Sequence, residues 1–382
     1  MSIYFERYAF KGSLIETPPS EKLGLVVTIP CYNEAELIKS LASIAYCHPG
    51  RYDVEVIVVI NHSTDAPEPI KKQNKATYQA AEEFAGLYNT DHLTFHILLE
   101  ELPPKHAGVG LARKIAMDEA ARRLDMVGKA NGIIACFDAD RLCEDNYLLT
   151  LEFYFEAHPK APGCSIHFEH PLTGGLSPVH YEAIIDYELF LRYYVHALRY
   201  AGFPHAYQTI GSSMAVRNNV YQKQGGMNRR KAGEDFYFLH KIIPLGDFGE
   251  IKRTKIIPSP RQSDRVPFGT GKAVNDWLNK GSLETYYPKS FEDLKKFYTK
   301  LNLVEDYNLL LNKWLESLPE SIIEFTQTID LRMHVERIKR NSRDLNSFKM
   351  NFHRWFDGFK VLKYVHFARD HFYPNLPIKE AC

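Results

Sequence analysis

The feature that most constrains the fold is a regular alternation of short apolar runs with helical patterns between residues 24 and 138. The apolar runs are GLVVTIP (24–30), VEVIVVI (54–60), LTFHILL (93–99) and GIIACFD (132–138). Each run has the length of a strand, and continuous apolar character is typical of a strand buried on both faces. The segments between the runs carry apolar residues at helical spacing, as at Leu37, Leu41 and Ile44. The alternation predicts an α/β fold with a mainly parallel sheet flanked by helices.

The alternation loosens after residue 138. Two further strands are predicted at CSIHFEHP (164–171) and TIGSSMAVR (209–217), with a long helix at 179–200 between them. Residues 258–275 carry Pro, Gly and Arg without periodicity, which predicts an active-site loop. From about residue 286 the pattern is nearly all helical.

The charge balance and the apolar runs exclude several classes of protein. Lys+Arg and Asp+Glu both number 47, so no overall field draws the chain to nucleic acid or anionic lipid. The N-terminus carries charges where a signal peptide needs an apolar core, and no run approaches the roughly 20 apolar residues of a membrane span. The six cysteines form no CxxC pair, which favours structural thiols over disulfides or zinc. We therefore expect a cytoplasmic protein without a transmembrane segment, and peripheral membrane contact is left open.

Two carboxylates, Asp138 and Asp140, follow the fourth apolar run. Ligands of open parallel sheets bind beyond the carboxyl ends of the strands, and residues i and i+2 of a strand project to the same side. Such a pair offers the oxygen ligands that Mg²⁺ and Mn²⁺ prefer. A strand that simply reaches solvent would also end in polar residues. The residues alone therefore leave a metal site and a plain strand end open.

A second acidic pair, Glu234 and Asp235, stands at a predicted helix start, after two glycines and a basic cluster at 229–231. Acidic residues in a first turn stabilise the helix dipole. A carboxylate beside an anionic ligand can instead serve as a general base. Nearby, GVGLAR lacks the GxGxxG spacing of a dinucleotide site and no P-loop motif occurs, so neither of those nucleotide folds is expected.

Five motifs occur in the order seen in family 2 glycosyltransferases: VVTIPCYNEAELIKSLASI, VEVIVVINHSTD, GVGLARKIAMDEA, IIACFDADR and GSSMAVR followed by GGMNRRKAGEDFYFLHKI. The chain resembles that family over about residues 23–250. The resemblance implies a GT-A (Rossmann-like) fold with a mixed, mainly parallel sheet, an inverting reaction, a nucleotide-sugar donor and a Mn²⁺ or Mg²⁺ cofactor.

The resemblance also implies which residues bind the nucleotide. Pro30 and Tyr32 match the turn that holds the base, with Glu34 close by. Asn61 stands where the family usually has a carboxylate, which leaves UDP, GDP and other nucleotides open. Arg113 matches a basic residue that contacts phosphate or an aspartate of the DxD motif.

The acidic pairs receive roles from the same resemblance. Asp138 and Asp140 match the metal-binding DxD, with Asp138 toward the ribose or a metal-bound water and Asp140 toward the ion. Glu234 and Asp235 match the ED motif, in which the aspartate is the catalytic base. Many relatives continue the DxD with another acid where this chain has Arg141, and the sequence offers no reason for the difference.

Four further residues are implied at the donor. Gly211 and Ser212 match the segment lining the sugar pocket, and Arg261 and Arg265 fall where a loop often folds over the diphosphate. The implied domains are an N-terminal extension (1–22), a GT-A domain (23–260) with nucleotide (23–140) and acceptor (141–260) halves, an active-site loop (261–285) and a C-terminal helical region (286–382).

The sequence thus predicts a metal-dependent inverting glycosyltransferase that moves a sugar from a UDP- or GDP-sugar to an acceptor hydroxyl, in glycan or glycoconjugate synthesis. A non-catalytic nucleotide-binding protein of the same fold and a sugar nucleotidyltransferase remain as alternatives. The sugar, the acceptor and the oligomeric state are not encoded in these motifs.

Overall fold

The computed structural model describes residues 2–263, 269–303, 314 and 318–382. The chain divides into two compact units. Unit 1 comprises Met1–Pro171 and Thr209–Gly269, and unit 2 comprises Leu172–Gln208 and Thr270–Cys382. Residues 172–208 thus group with the C-terminal helices, whereas the sequence analysis placed them in the sheet domain.

Unit 1 is built on an eight-stranded sheet. Its strands are β1 (Leu23–Cys31), β2 (Asp53–Ser63), β3 (Leu93–Leu102), β4 (Ile133–Cys136), β5 (Arg141–Cys143), β6 (Gly163–Phe168), β7 (Met214–Arg217) and β8 (Gly249–Pro258). The order across the sheet is β3-β2-β1-β4-β7-β6-β8-β5. The first four positions pair in parallel, whereas β7 is antiparallel to both β4 and β6, and β5 is antiparallel to β8. The sheet is therefore mixed and mainly parallel at its nucleotide-side half, as predicted.

The helices of unit 1 cover this sheet. They are α1 (Ile3–Arg7), α2 (Leu37–Ala45), α3 (Glu68–Tyr88), α4 (Val109–Met126), α5 (Tyr147–Ala157), α7 (Asn218–Lys223), α8 (Glu234–Ile242) and a 3₁₀ turn at Ile243–Leu245. All nine residues of β1 are buried, because helices lie over both faces of the central strands. This burial explains why the central strands read as continuous apolar runs.

The fourth strand ends earlier than predicted. β4 stops at Cys136, although the Phe137 N–H still donates to the Thr28 carbonyl across 3.0 Å. The Arg141 N–H then donates to the Asp138 carbonyl across 3.2 Å, which closes a turn. Asp138 and Asp140 therefore lie in a turn between two strands, and strand alternation does not set the directions of their side chains.

Two strands of this sheet, β5 and β8, were not predicted from the sequence. β8 was missed because charged residues interrupt its apolar positions and only some of its side chains are buried. β5 has three residues, which is too short for a periodic signal.

Unit 2 is helical. Its elements are α6 (Pro178–Ala201), α9 (Thr270–Lys280), β9 (Glu284–Thr285), α10 (Pro288–Asn302), α11 (Glu320–Thr328), α12 (Leu331–Arg340), α13 (Leu345–Trp355), α14 (Gly358–His371), β10 (Leu376–Pro377) and α15 (Ile378–Ala381). Its core is aromatic, with the Phe297 ring 4.9 Å from Trp314 and 5.0 Å from Phe356 between ring centroids. The helix α9 lies within residues 261–285, which corrects the predicted extent of the loop there: Val274 and Trp277 are buried at helical spacing. Within the described residues, no helix is both long enough and apolar enough to span a bilayer.

Candidate active site

A chain of amide hydrogen bonds fixes the carboxyl ends of β1 and β2. The Asn61 Nδ2 donates to the Cys31 carbonyl, the Asn74 Nδ2 donates to the Asn61 carbonyl, and the Asn33 N–H donates to the Asn74 Oδ1, each across 2.8 Å. Asn33 has a φ of 47°, a left-handed conformation that asparagine tolerates better than most residues. Asn74 belongs to α3, so a helix holds both strand ends in place. The sequence analysis did not identify Asn74, which has no motif signal.

The bond from Asn61 to the Cys31 carbonyl needs a side-chain donor, which an amide has and an ionised carboxylate lacks. A backbone carbonyl can only accept, so the side-chain atom facing it must be the donor Nδ2. An aspartate here would place a carboxylate oxygen against the carbonyl oxygen. Asn61 is 2% exposed, and its Oδ1 has no hydrogen-bond partner among the described residues. The residue therefore keeps one acceptor for a ligand.

Arg113, at the start of α4, joins three segments that are far apart in sequence. Its Nη2 donates to the Asp138 Oδ1 (2.8 Å), its Nη1 to the Gly211 carbonyl (2.9 Å) and its Nε to the Glu234 Oε1 (3.2 Å). Arg113 is 2% exposed. Burial acts to lower the pKa of Arg113, but the charges of Asp138 and Glu234 outweigh it and raise this pKa overall. Arg113 was predicted to contact either phosphate or an aspartate of the DxD, and in the structure it contacts Asp138.

Asp138 and Ser212 lie together in this cluster. Burial acts to raise the pKa of Asp138, but the charges of Arg113 and Arg141 lower it overall. Asp138 is therefore held ionised. Ser212 is fully buried beside it.

The second acidic pair completes the cluster. The Gly211 backbone N–H lies close enough to the Asp235 carboxylate to act against the rise of its pKa, and the Phe236 N–H donates to the Asp235 Oδ1 across 2.7 Å. A Cβ on Gly211 would lie 3.0 Å from both the Arg113 Nη2 and the Asp235 Oδ2, so a larger residue at this position would crowd both groups. Burial raises the pKa of Glu234 to about 7 and also raises the pKa of Asp235.

A second ionic cluster surrounds Asp140. The Arg261 Nη1 donates to the Glu34 Oε1 across 3.0 Å, and its Nη2 contacts the Glu34 Oε2 and, across 3.3 Å, the Asp140 Oδ2. Hydrogen bonding to Glu34 raises the pKa of Arg261. Glu34 is 1% exposed, so Arg261 compensates a buried charge at the end of β1.

Arg141 lies between the two aspartates of the DxD. Its Nε is 3.8 Å from the Asp138 Oδ2 and 3.6 Å from the Asp140 Oδ1. The residue that the sequence left unexplained is thus a cation shared by both carboxylates. No sequence signal identified this role.

Among the residues that the structure describes, acidic side chains outnumber basic ones at this site. The five carboxyl and three guanidinium groups belong to Glu34, Asp138, Asp140, Glu234, Asp235, Arg113, Arg141 and Arg261. A divalent cation fits this excess of negative charge. No three His, Cys, Asp or Glu side chains converge as a complete metal-binding set in the described ranges, so a cation here would need donor phosphate or water oxygens as further ligands.

The remaining predicted residues are less tightly organised. Pro30 is buried within β1, and Tyr32 is 37% exposed just beyond it. Arg265 lies outside the described residues. The structure therefore brings twelve of the thirteen predicted site residues together around the ends of β1, β2 and β4, and Tyr32 is the most exposed of the hydrophobic ones.

The mixed sheet, with an acidic turn after β4 and a second acidic pair beside it, agrees with the fold that the resemblance implied. The sequence profile of glycosyl transferase family 2 matches residues 26–223, and the chain belongs to that family.

Three solved structures illustrate the similarity, all of S. aureus TarS. TarS 1–349 in complex with UDP-GlcNAc has 14% identity and a TM-score of 0.46, over 85% of this chain and 89% of that one. The longer TarS structure has 14% identity and a TM-score of 0.44, over 85% and 54%. TarS 1–349 in complex with UDP has 14% identity and a TM-score of 0.41, over 91% of each chain. No curated protein matches the sequence significantly.

Proposed function

We propose that this family 2 glycosyltransferase is a metal-dependent, inverting enzyme that transfers a sugar from a UDP- or GDP-sugar to an acceptor hydroxyl. The observation that carries the proposal is the network through Arg113, which joins the DxD aspartate Asp138 to the ED motif through Glu234 and Gly211. A donor-binding group and a candidate base are thereby held around the buried guanidinium of Arg113.

The proposed metal ligands are Asp140 and Asp138. Asp140 is partly exposed, with a side chain 29% accessible, and offers carboxylate oxygen to Mn²⁺ or Mg²⁺. When bound, such an ion neutralises charge on a departing nucleoside diphosphate. Arg141 and Arg261 flank Asp140, and guanidinium groups bind phosphate oxygens well. The cluster can therefore bind a diphosphate from two sides.

Asp235 is the proposed catalytic base, and Glu234 is the proposed positioning residue. Glu234 is committed to Arg113, whereas two backbone N–H groups orient the Asp235 carboxylate. Burial raises the pKa of Asp235, which strengthens it as a proton acceptor. Asp235 takes the proton of the acceptor hydroxyl as that oxygen attacks the anomeric carbon, and the nucleoside diphosphate leaves from the opposite face.

The nucleotide base is proposed to bind at the ends of β1 and β2. Tyr32 provides an exposed ring for stacking, and the Asn61 Oδ1 provides an acceptor for a ring N–H. Uracil and guanine both carry such a ring N–H, so UDP- and GDP-sugars both fit. We propose a cytoplasmic location, with an acceptor in glycan or glycoconjugate synthesis.

The test is donor hydrolysis and transfer by the full chain, with UDP- and GDP-sugars and Mn²⁺, in wild type and in Asp140→Asn and Asp235→Asn. Both variants should lose most activity. Asp145→Asn is the matched control, because Asp145 is 69% exposed and lies outside the cluster. Full activity in both site variants would refute the residue roles. Release of pyrophosphate would indicate a nucleotidyltransferase, and binding without turnover would indicate a non-catalytic protein.

A further inference from the structure

Two cysteines of unit 1 lie in contact where the end of a helix meets the end of a strand. Cys47 follows the end of α2, and Cys143 is the last residue of β5. Their Sγ atoms are 3.7 Å apart, although the residues are 96 positions apart in sequence. All six cysteines are free thiols in this structure. No CxxC motif marks this pair in the sequence, because the two residues meet only through the fold.

We propose that Cys47 and Cys143 are an oxidisable dithiol, which a low-molecular-weight disulfide converts into an intramolecular disulfide bond. A disulfide needs an Sγ–Sγ distance of roughly 2 Å. The sulfurs are already in van der Waals contact, so a small movement of α2 and β5 toward each other closes the bond.

The surroundings assign different roles to the two thiols. Cys47 is half-buried, whereas Cys143 is buried. The hydrogen bond between the two thiols acts to lower the pKa of Cys47 and, together with burial, to raise the pKa of Cys143. The thiolate is the reactive form, so Cys47 is the attacking sulfur and Cys143 the resolving one.

The exchange balances in two steps. The Cys47 thiolate attacks one sulfur of the reagent disulfide and forms a mixed disulfide, releasing one reagent thiolate. Cys143 then gives up its proton and attacks the Cys47 sulfur, which releases the second reagent thiol. The two protein thiols lose two electrons and two protons in total, and the reagent disulfide is reduced to two thiols.

Other contacts show what the bond would connect. The Ser43 Oγ accepts from the Cys143 N–H across 3.3 Å, and the Ser40 Oγ donates to the Ala139 carbonyl across 2.8 Å. Ala139 stands between the two DxD aspartates. Polar contacts from α2 thus already hold the acidic turn and β5, and the disulfide would add a covalent link to the same pair of elements.

The test treats the full chain with oxidised glutathione in a Cys382→Ser background, because the exposed Cys382 can form bonds between molecules. The expected product is a monomer that has lost two hydrogen atoms and two titratable thiols, with Cys47 and Cys143 in one linked peptide. Its unfolding temperature should rise, because the link constrains the unfolded chain, and dithiothreitol should reverse both changes.

Cys47→Ser and Cys143→Ser are the matched variants, and circular dichroism verifies their folding. In Cys47→Ser neither step should occur. In Cys143→Ser only the first step should occur, and the product should be a mixed disulfide of glutathione with Cys47. A wild-type sample that keeps a stable adduct on Cys47, or that pairs either cysteine elsewhere, would overturn the proposal. The oxidation experiment uses neither a nucleotide-sugar nor a metal ion, so its result does not depend on whether the proposed transferase activity is found.

Discussion

The Arg113 guanidinium and the Asp138 carboxylate meet across 2.8 Å, and through this pair α4 is bonded to the turn that carries the DxD. The same guanidinium reaches Glu234, which lies 121 residues further along the chain. A buried cation with two anionic partners fixes the relative positions of both acidic motifs. Catalysis by preorganised groups depends on such fixed positions.

Replacing Arg113 should destabilise the protein as well as inactivate it. In Arg113→Met the carboxylates of Asp138 and Glu234 lose their buried counter-ion, and such a loss costs about 3–5 kcal/mol. Urea unfolding measures this change. The control is Arg51→Met, because Arg51 is 69% exposed in its pair with Glu156 and such surface pairs contribute up to about 1 kcal/mol. Equal effects of the two substitutions would contradict the role assigned to Arg113.

Stability should depend on pH through Glu234. The pKa of Glu234 is raised from 4.5 to about 7 by burial, so the folded chain binds an extra proton between these pH values. The stabilisation from this group is complete below pH 4.5 and is lost as pH rises through 7, by an amount on the order of 3 kcal/mol. The difference in unfolding free energy between wild type and Glu234→Gln should therefore change over this range. A constant difference would refute the raised pKa.

Asn61→Asp should destabilise the protein even though it restores the family's usual residue. The carboxylate removes the donor to the Cys31 carbonyl and places two acceptors in contact, at a cost of about 1–3 kcal/mol. Thermal or urea unfolding measures this cost. Asn341→Asp is the control, because the Asn341 amide also donates to a backbone carbonyl, but at an exposed position. A stable Asn61→Asp would show that the orientation of this amide is not fixed.

Arg141 should oppose the metal and favour the diphosphate. Two unit charges about 4 Å apart interact by about 1 kcal/mol even in bulk water, so the Arg141 charge, 3.6 Å from the Asp140 carboxylate, opposes a cation bound to that carboxylate. Arg141→Gln should therefore bind Mn²⁺ severalfold more tightly in the absence of nucleotide, and bind nucleoside diphosphate more weakly. Calorimetric titrations of each ligand measure these affinities. Arg253→Gln, at an exposed position, is the control, and parallel changes in both affinities would contradict this role.

Oxidation of the Cys47–Cys143 pair should slow the reaction. The new bond draws α2 and β5 together, and β5 begins at the residue after Asp140, so the acidic turn shifts with it. We expect a severalfold lower rate of donor hydrolysis after treatment with oxidised glutathione, restored by dithiothreitol. Cys47→Ser should keep its rate throughout. A loss of rate in that variant would place the sensitivity at another thiol.

The sequence by itself determined the strands of the parallel half and the two acidic motifs. Strands buried on both faces must be apolar throughout, so β1, β2 and β4 could be predicted from continuous apolar runs in the sequence. The motif order was sufficient to indicate the family, which the family profile confirms. The end of β4 was placed too late, because the buried Phe137 continues the apolar run past the last strand residue.

Only the tertiary structure decided how the charges of the site are paired. Arg261 meets Glu34 across 227 positions of sequence, and Cys47 meets Cys143 across 96. The role of Arg141 could be recognised only in the structure, where the turn places its guanidinium between two carboxylates. The spacing of apolar residues in the sequence indicates which face of a helix or strand is buried, because burial recurs with the period of that element. The partner of a polar side chain is set by the packing of distant segments, and no periodicity records that packing.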